Sequence, residues 1–236
     1  MTRRPKVVAT IECRMGSSRL PGKVMMEAVD GISFLELIAR RVSKCSLIDE
    51  IVLATTENAL DDAIEELSNK IGVKCFRGSE EDVLGRVLGA AKSVDADIIV
   101  ELHGDCPFVD PDIISQVVTL YLNNQCDYAK NFEPSSYLDG LDVQAFSVDL
   151  LDEANRLGLT QEDREHVSWY FRKRPDVYKH LTILAPESLR FPNIRLTLDT
   201  AEDLIFIKTI LPKLYAKNEN FNTADLISEL RLFGVI

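Results

Sequence analysis

Long apolar runs are missing from this 236-residue chain. No stretch approaches the roughly 18 residues that a membrane-spanning helix needs, and "MTRRPK" leads into a strand-like segment instead of the apolar core of a signal peptide. No membrane partner and a cytoplasmic location are therefore expected. Cysteine is sparse as well. Cys13, Cys45, Cys75, Cys106 and Cys126 are odd in number and scattered, with no C-x-x-C pair, which argues against a disulfide framework and against a zinc site of the usual spacing. Reduced thiols in or near the core are expected. Positive charge is short: 27 Lys and Arg stand against 38 Asp and Glu, for a net charge of −11. A broad polyanion-binding surface is excluded on that balance, and nucleic acid is not an expected partner. Linkers, repeats and low-complexity tracts are also lacking. One domain spanning 1–236 is expected, with a substrate-covering subregion near 130–185.

What is present is enough apolar residue, 46% of the chain, to bury one good core. Strand-like runs at "KVVATIE", "DEIVLATT", "GVKCFRG" and "ADIIVELHG" alternate with amphipathic stretches near 33–44, 60–71, 81–93 and 111–123. That alternation predicts an α/β fold with a mostly parallel sheet covered by helices. Right-handed crossovers would gather the loops after the strands along one edge, where open α/β sheets bind ligands. The second half is less regular. "LDVQAFS" and "NIRLTLD" read as strands, and 148–157, 161–173 and 201–214 as helices, completing the sheet around an insertion. In the tail, Asn222 or Thr223 is positioned to cap a final leucine-rich helix.

Against this acidic background, "ECRMGSSRLPGKVM" at 12–25 gathers Arg14, Arg19 and Lys23 in a Gly/Ser/Pro-rich loop directly after a strand. It is not a P-loop: Gly16 and Gly22 enclose five residues where four are required, and Val24 stands where Ser or Thr belongs. No G-x-G-x-x-G follows any strand, so the usual dinucleotide fingerprint is absent. Exposed amides, two guanidinium forks and an ammonium remain, a set suited to a flexible triphosphate. A solvated basic loop is the alternative.

The run "RMGSSRLPGK" at 14–23 resembles the signature loop of cytidylyltransferases that activate sugar acids, the acylneuraminate and 3-deoxy-manno-octulosonate enzymes, and most closely their spore coat polysaccharide biosynthesis protein F branch. "DEIVLATT", "FRGSEEDVLGRV", "GDCPFVDPDII", "DGLDVQAF", "REHV" and "LTLDTAEDL" follow in matching order along almost the whole chain. The resemblance implies a Rossmann-like nucleotide-diphospho-sugar transferase fold with helices on both sheet faces. It further implies CTP and Mg2+ as reactants, transfer of CMP to a sugar acid with release of pyrophosphate, a role in surface polysaccharide synthesis, and a homodimer by analogy. A transferase of the same fold with another NTP or another acceptor is the alternative, followed by a non-catalytic binding subunit.

Carried over residue by residue, the resemblance assigns Arg14, Gly16, Ser17, Arg19 and Lys23 to the triphosphate, and Asp105 and Asp199 to the metal. Arg14, Arg19, Lys23 and Asp105 become the catalytic set. Singly, Asp105 also fits a turn and Asp199 a helix cap. Ser79 and Asp82 match the segment near the nucleoside but equally fit an N-cap with an acidic first turn. Asp142, Arg164, Glu165 and His166 are the acceptor candidates, Arg164 as the partner of a sugar carboxylate. Glu12-Cys13 stand where Gln-Ala is common, His103 where Thr or Gln is usual, and Gln144 where relatives often carry Glu. These departures bear on acceptor identity more than on nucleotide chemistry.

Overall fold

A computed structural model describes residues 3–158 and 160–236; the first two residues of "MTRRPK" and position 159 inside the 130–185 subregion lie outside the described residues. The elements in chain order are β1 (Val7–Glu12), β2 (Glu27–Val29), β3 (Ile32–Ser33), α1 (Phe34–Val42), β4 (Glu50–Thr56), α2 (Asp62–Ile71), β5 (Lys74–Gly78) and α3 (Val83–Lys92). They continue with β6 (Ile98–His103), α4 (Pro111–Leu122), β7 (Tyr128–Lys130), β8 (Gln144–Ser147), α5 (Val148–Leu157) and α6 (Gln161–Glu165). Then follow α7 (Trp169–Arg172), β9 (His180–Thr182), α8 (Ala201–Lys217) and α9 (Thr223–Leu232).

The main sheet has the order β5-β4-β1-β6-β8-β7-β9. β5, β4, β1 and β6 are parallel neighbours, as the alternation of apolar runs and amphipathic stretches predicts. β8 runs antiparallel to both β6 and β7, and β7 pairs parallel with β9. Side chains alternate between faces with period two. Along β1, Val7, Ala9 and Ile11 enter one core layer with α1, α2, α4, α8 and α9, whereas Val8 enters the other with α3, α5 and Phe171. Helices therefore cover both faces. The Val8 face does not stay apolar: its next two members are Thr10 and Glu12, and on β6 Ile99 is followed by Glu101 and His103. The core turns polar toward the C-terminal ends of the central strands.

The tail closes the fold by named contacts. Asp110, the N-cap of α4, accepts from the Thr223 backbone amide at 2.7 Å, and Arg41 donates to the carbonyls of Val109 and Phe221 from beneath the Phe221 ring. Asn222 supplies the cap of α9 and Asp225 completes its capping box.

Two expectations need correction, and two strands lack a signal in the sequence. "NIRLTLD" is not a strand; it forms a single parallel bridge between Asp139 and Arg195, because its apolar residues anchor a loop against the core instead of extending a ladder. The helix expected over 161–173 is two short ones, interrupted at His166, whose extended backbone (φ −112°, ψ 90°) ends α6. β7 and β9, three residues each, are too short to show a period.

Candidate active site

The loops after β1, β4 and β6 meet at one edge of the sheet, and residues from 130–185 face them across a cavity of about 430 Å3. Two glycines allow the close approach. Gly104 donates to the Glu12 carbonyl at 2.8 Å, and a Cβ there would stand 2.8 Å from that same oxygen. Gly22 has φ +72°, a left-handed turn that returns its amide to Met15 and starts the turn Lys23–Met25. The loop is anchored from below: buried Asp61 accepts from the Met15 amide at 2.7 Å and from the Thr56 amide.

This anchoring aims the cations. Lys23 is buried to 9% exposure, and its ammonium donates at 2.8 Å to both Asp105 and Asp199, residues brought together from the ends of β6 and of the Asp139–Arg195 bridge segment. Burial opposes the ammonium, yet the two carboxylates lift Lys23 above its ordinary pKa. Burial likewise opposes ionised Asp199, but Lys23, Arg19 and Arg195 hold its carboxyl below the usual range. Arg195 contacts it at 2.5 Å and Arg19, two-thirds exposed, at 3.3 Å. Arg14 reaches Glu80 at 3.0 Å. The Asp199 amide and the Thr200 cap belong to a capping box closed by Asp203, so Asp199 stands just outside the helix while its carboxylate faces the cavity.

The opposite wall is organised by a different set. Arg172 of α7 lines the cavity and pairs with Glu133 through two contacts, one at 2.8 Å. Glu133 also accepts from Lys130 at 2.7 Å, and Arg172 with Lys130 holds its carboxyl down to about 2. Asp142 lies on this wall, where burial pushes its carboxyl up to about 6, restrained by His103 and reinforced by Asp139. Tyr128 donates to Gln144 beside them. On the floor, burial raises Glu101 well above the ordinary carboxylate range, and the neighbouring Glu12 raises it further.

Arg14, Ser17, Arg19, Lys23, Asp105 and Asp199 all line the cavity, as do Asp142, Glu165 and His166. Gly16, Ser79, Asp82 and Arg164 do not. Ser79 accepts from the amides of Glu81 and Asp82, and Asp82 caps α3 through the Gly85 amide. Arg164 is engaged by the side chain and carbonyl of Asn155, at 2.5 and 2.7 Å, and by Asp82 at 3.4 Å. It is a strap between α5, α6 and α3, not a free partner for a carboxylate. Arg172 is the guanidinium that faces the cavity on this side, and the sequence hides it within the charged run "RKRP". Arg86, 4% exposed, and Phe132 also line the cavity without a local signal. Glu12, Glu101 and His103 had one in their position at strand ends.

Comparison with known proteins gives the family of the chain. A family model described as cytidylyltransferase matches residues 8–231. Spore coat polysaccharide biosynthesis protein SpsF of Bacillus subtilis is 33% identical over 229 residues, covering 95% of this chain and 93% of that one. An uncharacterised protein of Methanocaldococcus jannaschii is 37% identical over 84% of this chain and 80% of its own. The structure of a cytidylyltransferase from Leptospira borgpetersenii superposes with a TM-score of 0.91 at 31% identity, over 98% of this chain and 96% of that one. A CMP:2-keto-3-deoxy-manno-octonic acid synthetase solved with CTP shares the fold, with a TM-score of 0.65 at 18% identity over 86% of this chain and 97% of that one.

Proposed function

The chain belongs to the cytidylyltransferase family, and we propose that it transfers CMP from CTP to a sugar acid of the 2-keto type, releasing pyrophosphate, for polysaccharide or glycoconjugate synthesis. The observation that carries this reading is the convergence of Lys23, Asp105 and Asp199 at the mouth of the loop that also bears Arg14 and Arg19. Arg14, Arg19 and Lys23 hold the β- and γ-phosphates, with Ser17 at the turn. Charge on the departing pyrophosphate grows in the transition state, so fixed cations aimed at it lower the barrier.

The donor set fits a magnesium ion. Asp105 and Asp199 present oxygen ligands to one cation-sized point that an ammonium takes here, and Mg2+ takes one or two carboxylates, phosphate oxygens and waters. Bound there, it would neutralise phosphate charge and polarise the α-phosphate. Lys23 keeps the two carboxylates from repelling each other in its absence.

The acceptor stands against the 130–185 wall. Arg172 takes the role first given to Arg164: Glu133 occupies its Nε–Nη2 fork, and its Nη1 edge is the part that meets the acceptor carboxylate. Asp142, Glu165 and His166 face the acceptor's hydroxyl groups, and positioning them against the α-phosphorus is the main work of this wall. The test is pyrophosphate release from CTP and Mg2+ with a panel of 2-keto sugar acids and simpler hydroxy acids. Release only with sugar acids is expected; turnover with ATP but not CTP, or with neutral alcohols alone, rejects the reading.

A further inference from the structure

The polar end of the α3/α5 face carries a cluster to which the proposed transfer assigns no step. Parallel register places Glu12 opposite His103 and Thr10 opposite Glu101. Because alternate residues share a face, Glu12, Glu101 and His103 project to the same side within one strand spacing. One donor atom from each lies within 4.8 Å of the other two. Glu101 is 2% exposed and lines the cavity, and its Oε2 has no hydrogen-bond partner.

Burying a carboxylate oxygen with no donor is costly, and a second carboxylate beside it adds repulsion. None of the cations lining the same cavity donates to that oxygen: Lys23 is held by Asp105 and Asp199, Arg172 by Glu133, and Arg14 by Glu80, and Arg172 acts on Glu101 and Arg86 on Glu12 through charge alone. Arg86 donates to the Ser79 carbonyl. We propose that Glu12, Glu101 and His103 form a site for a divalent transition-metal ion, distinct from the Asp105 and Asp199 pair.

Metal–ligand lengths of about 2.0–2.2 Å bring donor atoms to roughly 3–4 Å from one another, so small side-chain rotations suffice to close the cluster. Two carboxylates with one imidazole favour Zn2+ or a similar ion over Mg2+, which prefers oxygen alone. Three protein ligands leave a position open toward the cavity for an oxygen of a bound molecule. The site stands or falls independently of the acceptor.

Chelator-treated protein is titrated with Zn2+ by calorimetry in saturating Mg2+. One Zn2+ per chain is expected, bound at least about tenfold more weakly after Glu101→Gln or His103→Asn and unchanged in Asp199→Asn. If Glu101→Gln loses its cooperative thermal transition, His103→Asn at the half-buried strand end carries the test. Absence of Zn2+ binding, binding insensitive to both substitutions as at the free thiols of Cys75 and Cys126, or binding lost in Asp199→Asn each overturns the proposal.

Discussion

The two walls of the cavity are built on different principles. The wall at the ends of β1 and β6 hangs on long parallel strands buried except at their last residues, and Arg14 and Arg19 sit on a loop partly open to solvent. The wall from 130–185 rests on strands of three or four residues and short helices. Tyr128, Phe146 and Phe171 pack beneath it, and polar side chains tie its loops: Asn131 bridges the Leu141 carbonyl and the Val143 amide, and Glu133 joins Lys130 to Arg172. Rigid apolar strands position a site that many nucleotide-using proteins need in common. A wall of short elements tied by polar contacts changes its chemistry with few substitutions, which suits acceptor choice.

The sharpest division between the walls lies in the proposed metal site. Asp105→Asn or Asp199→Asn is expected to cut kcat/KM by about 10³-fold or more, and EDTA to abolish pyrophosphate release. Activity that persists in either variant would leave the nucleotide wall without its central assignment.

Next in size is a crossed pair of arginines. Arg172→Ala should raise KM for the acceptor by about 10–100-fold, the equivalent of a charge-assisted contact of roughly 1.5–3 kcal/mol, with CTP affinity little changed. Arg164→Ala should lower the melting temperature while leaving acceptor KM near wild type. The reverse pattern would return the acceptor carboxylate to Arg164.

Within the loop, Arg19→Ala should weaken CTP by roughly 1 kcal/mol, reduced by its exposure, and CMP hardly at all. Competition binding in which both nucleotides weaken alike would take Arg19 off the pyrophosphate.

The smallest expected effect is on stability. Asp142 binds its proton more tightly folded, at about 6, than at its ordinary value of 3.8. The folded state then holds more protons between these values, and stability falls as pH rises through them. Asp142→Asn should therefore stabilise at pH 7.5 by on the order of 1–2 kcal/mol, a few degrees in melting temperature. The gain should vanish below about pH 4; a gain independent of pH would show that ionisation is not its source.

Local pattern determined much of this molecule. The runs that became β1, β4, β5 and β6 are short apolar segments between amphipathic ones, which marks them as strands of a parallel sheet but leaves their order in it open. Arg14, Arg19 and Lys23 were legible because three cations in a Gly/Pro-rich loop are conspicuous in a chain of charge −11, and Asp105 only through the resemblance that its "GDCP" turn carries. Tertiary structure alone decided the rest. Spacing along the chain does not distinguish Arg164, spent on Asn155, from Arg172, which faces the cavity. Nor does it reveal that Glu12 and His103 are register partners from strands 86 residues or more apart in sequence. Period and composition act over one or two turns of chain, whereas ion pairing and burial depend on which strand ends lie side by side.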